Sequence, residues 1–68
     1  MTSDVAIGAV VCHDKTYLQS QYRRWFPAII MSKTNSDGRN DVYHLVTAEG
    51  LIRDVWVGSV LWDGMLIL

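Results

Sequence analysis

The chain contains one cysteine, one proline, two histidines and almost no excess of either charge. Each scarcity excludes something. Cys12 has no second thiol in the chain with which to close a disulfide, and one cysteine with two histidines matches no recognised zinc set. A formal net charge of −1 is far from the basic footprint of proteins that live on nucleic-acid phosphate. No apolar run reaches the about 18 residues that a membrane-spanning helix needs. The opening Met1-Thr2-Ser3-Asp4 lacks a basic region followed by an apolar block, so a cytoplasmic location is expected rather than secretion. What the chain does have is apolar content, half of its 68 residues. That length makes one domain, residues 1–68, with no room for a second core. Domains below about 70 residues usually rely on a staple, a metal or a partner. With no disulfide and no metal set, the apolar surplus points to a partner, and no cofactor is expected.

The apolar residues recur at strand spacing. Val5 to Cys12 is rich in Val, Ile and Ala, with Gly8 in its middle, and Trp25 to Met31 is a compact β-branched and aromatic run whose Pro27 belongs near a strand start. Asp41 to Thr47 alternates, with Val42, His44 and Val46 on one face and Tyr43, Leu45 and Thr47 on the other. Leu51 to Val57 alternates too, setting Arg53, Val55 and Val57 against Ile52, Asp54 and Trp56. Leu61 to Leu68 supplies a last apolar strand. Turn chemistry separates these runs. Lys33 to Asn40 is a polar, Gly/Asn/Asp-rich hairpin loop, and Ala48-Glu49-Gly50 suits a tight hairpin with a left-handed glycine. Val57 to Val60 reads as a short turn, at most one turn of 3₁₀ helix. His13 to Arg24 is the longest irregular stretch; a short helix fits there, but Leu18 is its only aliphatic residue and it would bury little. Five short strands with tight later hairpins, and Gly8 and Gly58 as bend points, predict an all-β fold, a small antiparallel barrel whose closure leaves few free edges.

This layout resembles the SH3-like barrel superfamily and, within it, the Tudor-like group. The carrying residues are Gly8-Ala9-Val10-Val11, Trp25-Phe26-Pro27-Ala28-Ile29-Ile30, Tyr43-His44-Leu45-Val46, Glu49-Gly50 and Val55-Trp56-Val57-Gly58-Ser59-Val60-Leu61, so the similarity runs from about Val5 to Leu66. Neither the Ala-Leu-Tyr-Asp-Tyr-like segment nor the Pro-x-x-Tyr of peptide-binding SH3 domains is present, which argues against proline-rich ligands. The resemblance implies a candidate aromatic cage for a methylated lysine or arginine, with Tyr17, Trp25, Tyr43 and Asp41 as the residues available to build it.

Three other constellations bear on function. Residues 1–40 carry net +2 and residues 41–68 net −3. Lys15, Arg23, Arg24 and Lys33, interleaved with Tyr17, Tyr22 and Trp25, could present a basic, stacking surface to nucleic acid or to an acidic partner. The plainer reading is that they keep an apolar domain soluble. Trp25, Trp56 and Trp62 are more indoles than a core this small encloses, and Met65 to Leu68 are four consecutive apolar residues that cannot all point inward. Trp56, Trp62, Met65 and Leu66 are therefore the expected partner-binding residues. Cys12-His13 lacks any orienting third group, and as strand neighbours the two side chains diverge, so no catalytic site is expected; a buried cysteine and a loop histidine are the simpler reading. His13, His44, Asp14 and Asp41 match no metal-ligand spacing, and His44 reads as a satisfied, half-buried strand residue. The expectation is a non-enzymatic protein-interaction module that self-associates or docks on a larger partner. Its size suits a small phage or bacterial accessory protein. Nucleic-acid binding and methyl-reading are the alternatives.

Overall fold

Alternation along the chain is the feature that the backbone follows most closely. The structure, a computed structural model, describes residues 5–14, 20–35 and 41–68. These form β1 (Val10–His13), α1 (Ser20–Arg23), β2 (Ala28–Asn35), β3 (Asp41–Val46), β4 (Ile52–Trp56), α2 (Val60–Asp63) and β5 (Met65–Ile67). All five strands join one antiparallel sheet in the order β4-β3-β2-β1-β5. The all-β expectation therefore holds as a mostly β, five-stranded antiparallel sheet. The sheet is not closed: β4 and β5 are its two edges.

Register follows from the turns. Gly50 adopts φ +80°, its N–H bonds the Thr47 carbonyl at 2.9 Å, and Thr47 N–H bonds the Leu51 carbonyl at 2.8 Å, which makes 48–50 the expected three-residue hairpin. Pairing then runs outward from the turn as Val46↔Ile52, Leu45↔Arg53, His44↔Asp54, Tyr43↔Val55 and Val42↔Trp56. Between β2 and β3 the ladder slips at Met31, where a bulge separates Ile30↔Leu45 from Ser32↔His44 and bends the strand.

The inner face collects Val11, Ala28, Ile30, Tyr43, Leu45 and Val55, with Val5, Trp62 and Met65 completing the core. Trp62, 2% exposed, lies stacked on Tyr43, 1% exposed, with ring centroids 4.8 Å apart and planes 16° from parallel. His13 is also buried and donates from Nε2 to the Leu61 carbonyl at 2.9 Å, while its ring meets Phe26 at 5.3 Å.

Several boundaries depart from expectation for local reasons. The first strand begins at Val10 rather than Val5, because Gly8 turns the chain at φ +92° and Ala9 N–H bonds the Ala6 carbonyl. Strand β2 runs on through Lys33–Asn35, which were expected in a loop; the rest of that loop, 36–40, lies outside the described residues. The run expected as a strand from Leu61 is helical up to Asp63, because Ser59 in extended conformation caps α2 by accepting from Trp62 N–H at 3.1 Å. His13, expected in a loop, is a buried strand residue. The cap, α2 and the return to β5 aim Trp62 and Met65 into the core, which corrects their expected place on a partner-binding surface.

Gly64 closes this turn against His13 and Asp14: a Cβ there would sit inside van der Waals contact of the His13 ring and the Asp14 carboxylate. Gly64→Ala is expected to destabilise the fold by about 1–3 kcal/mol, the usual range for overpacking, as measured by urea unfolding with an unchanged slope.

Candidate functional site

The face of the sheet turned away from the core is built from every second residue, and register decides who stands beside whom. Val10 opposes Ile29, Ile29 opposes Val46, and Val46 opposes Ile52. Leu68 extends β5 by one bond, its N–H on the Val10 carbonyl at 2.9 Å, and so stands at the near end of the same line. Leu68, Val10, Ile29, Val46 and Ile52 make one aliphatic row across all five strands. Ile29 is 47% and Ile52 54% exposed, and Leu68, Val10 and the nearby Met31 are exposed too. Cys12 pairs with the exposed Leu66 in the adjoining row. Of the expected partner-binding residues, Trp56 (49% exposed) and Leu66 are on this outer face.

Between the aliphatic row and the far end of the β2–β3 hairpin lies a polar chain. Asp54 and His44 are directly opposite, with Asp54 Oδ1 2.7 Å from His44 Nδ1. Thr34 Oγ1 is 3.0 Å from His44 Nε2. An ionised carboxylate only accepts, so His44 donates from Nδ1; the neutral ring then accepts from the Thr34 hydroxyl at Nε2. The imidazole is largely covered, its side chain 22% exposed. Thr34, Val42 and Trp56 form the next row outward. Val42 is buried yet stands apart from the core cluster.

Among the described residues, the basic side chains are not gathered into one surface. Arg23 and Arg24 are exposed just before β2, while Lys33 is toward the far end of that strand. Lys33 Nζ is 3.3 Å from Asp41 Oδ2 and 5.7 Å from the Tyr43 ring centre. Lys15 lies outside the described residues. The cage is not assembled either. Tyr17 lies outside the described residues, and Tyr43 is buried beneath Trp62, which corrects its expected place in a cage. Trp25 has other partners: Tyr22 edge-on at 4.9 Å and the Arg53 guanidinium at 5.7 Å. Asp41 belongs to the β2–β3 hairpin, accepting from Asn35 Nδ2 at 2.6 Å. Among the described residues no three His, Cys, Asp or Glu side chains gather as a metal site, and no helix is long and apolar enough to cross a membrane.

Sequence reasoning named Trp56 and Leu66 but missed the row and the Thr34–His44–Asp54 chain. The signal was available for part of it. Counting three residues out from Thr47 and from Leu51 sets His44 opposite Asp54. The Met31 bulge, which brings Thr34 into reach of His44, leaves no such mark. No protein-family model matches the chain, and searches of curated proteins and of solved structures find no match.

Asp41 offers a pH test of the hairpin. The Asn35 hydrogen bond, then the Lys33 ammonium, holds its carboxyl below the usual carboxylate value. A depressed folded-state value means the contribution is fully present above the ordinary value and is lost as pH falls through the folded one. Asp41→Asn is therefore expected to lower stability at neutral pH and to make little difference in strong acid, as read from urea midpoints across a pH series.

Proposed function

We propose that the chain is a non-enzymatic protein-interaction module of SH3-like, Tudor-like architecture, and that the partner of its outer face is a second copy of the same chain. The observation that carries this reading is the aliphatic row Leu68–Val10–Ile29–Val46–Ile52. The solvent side of an antiparallel sheet is ordinarily polar at alternate positions. Here the alternation places branched aliphatic side chains side by side on the exposed face. With Met31 and Leu66 they offer on the order of several hundred Å² of apolar surface, the scale that marks interaction sites rather than scattered surface residues. A stable interface takes about 800 Å² from each partner, which such a face with its polar rim approaches.

The side chains of the row carry no formal charge, so none of them selects a charged partner. An aliphatic sheet face fits another of its own kind, two sheets packing about 10 Å apart, and a two-fold contact sets row against row. The edge strand β4 is guarded by Arg53 and Asp54, which favours association through the face over pairing at that edge. Five antiparallel strands, left-handed glycines at Gly8 and Gly58, and the Met31 bulge support the Tudor-like reading; a cytoplasmic accessory role is part of the same proposal.

A second reading rests on a separate observation. Exposed Arg23 and Arg24 adjoin the cluster in which Tyr22 meets Trp25 edge-on and Arg53 lies over the Trp25 ring, a small basic and aromatic group suited to an acidic partner or a single nucleic-acid strand. It requires salt-dependent binding of a short oligonucleotide that Arg24→Ala weakens, and an unchanged mobility at low salt removes it.

Self-association is read from solution mass over a dilution series. A concentration-dependent dimer is expected, and Ile29→Glu should weaken it at least about tenfold, equivalent to roughly 1.4 kcal/mol, because a carboxylate would be desolvated without a partner. A monomer at every concentration contradicts the reading.

A further inference from the structure

Independently of the docking reading, we infer that the Thr34 hydroxyl is an activated acyl acceptor, with His44 as its base and Asp54 as the positioning residue. Three strands supply the three groups, and the register sets them in line. Asp54 Oδ1 fixes Nδ1 of His44 at 2.7 Å, and Nε2 of His44 faces Thr34 Oγ1 at 3.0 Å. A nucleophile within hydrogen-bond reach of a base, with that base oriented by a third group, is the arrangement that activates a hydroxyl. Strand backbones, each tied into ladders, hold the line more firmly than a loop would.

The ligand class follows from the surroundings. Val42 stands directly opposite Thr34, and Trp56 stands one strand further, about 10 Å across the face. Val42 is buried, so the exposed indole of Trp56 is the apolar surface that this row offers to an acyl chain on a good leaving group. In the step proposed, Thr34 Oγ1 bonds to the acyl carbon and the bond from that carbon to the leaving oxygen breaks. The hydroxyl proton passes to His44 Nε2 and from there to the departing oxygen. The products are a threonine ester and the free alcohol or phenol, with no change of oxidation state.

The same geometry limits the chemistry. Backbone N–H groups of a sheet lie in its plane, whereas the hydroxyl stands off its face, so the ladder aims no pair of donors at an oxyanion above Thr34. The ester is therefore a lasting product, formed once per chain, rather than an intermediate that turns over.

The test uses the whole chain with p-nitrophenyl acetate and p-nitrophenyl butyrate, following intact mass and mapping the adduct by peptide. An ester on Thr34 is expected, absent in Thr34→Val and retained in Thr34→Ser. His44→Gln should slow its formation about 100-fold, within the usual range for general-base assistance. Asp54→Asn should slow it too, with Asp54→Glu recovering part of the rate, a rescue that a merely structural carboxylate would not give. Trp56→Ala should reduce the preference for butyrate over acetate. Acylation confined to amines and Cys12, or Thr34 labelling at the same rate in His44→Gln, overturns the inference. Neither result bears on self-association, which is read from mass without any acyl donor.

Discussion

Tyr43 and Trp62 lie ring on ring at 4.8 Å, and that stack ties β3, the neighbour of the β4 edge, to α2, the helical turn that connects the two edge strands. A lone five-stranded sheet has an apolar face to hide and no second layer to hide it under. The stack meets that need from within: α2 is held over the inner face, and β5 returns from it to pair with β1 with Met65 already buried. A stacked aromatic pair contributes about 0.5–1.5 kcal/mol beyond the area it buries, on top of the burial of two large rings. Ser59, Gly64 and His13 all act on this turn. Ser59 starts the helix, Gly64 leaves room for the imidazole, and His13 ties Nε2–H to the Leu61 carbonyl.

Once the inner face is fixed by Tyr43, the period of two in each strand fixes the outer face as well. Val42, His44 and Val46 must face outward if Tyr43 and Leu45 face inward, and the register then assigns their neighbours. That single constraint produces both the aliphatic row and the polar chain beside it. It also explains how a small chain with no disulfide is half apolar: one share of that content forms the core, and another share stands on the outer face in a line.

Much of this was legible in the sequence, and what was not has identifiable causes. The alternations 41–47 and 51–57 and the hairpin at Gly50 depend on local pattern and local turn chemistry, and the structure follows them. Trp56 was readable as outward because Val55 and Val57 flank it on the opposite parity. Trp62 and Met65 were misplaced because an apolar run was read at strand period through residues that Ser59 caps into a helix, which turns the indole inward. Tyr43 was misread as a cage residue because a sequence shows parity but not what lies over the ring. The Thr34–His44–Asp54 line needs the register of two hairpins at once, and the one between β2 and β3 contains a bulge.

The central claim is that the outer face meets its counterpart on a second copy of the chain. Mixing a ¹³C-labelled and an unlabelled copy and recording isotope-filtered nuclear Overhauser effects tests it directly. The account predicts intermolecular contacts among the methyl groups of Val10, Ile29, Val46, Ile52 and Leu68. Intermolecular contacts mapping elsewhere, or none at a concentration where the mass is dimeric, would contradict it.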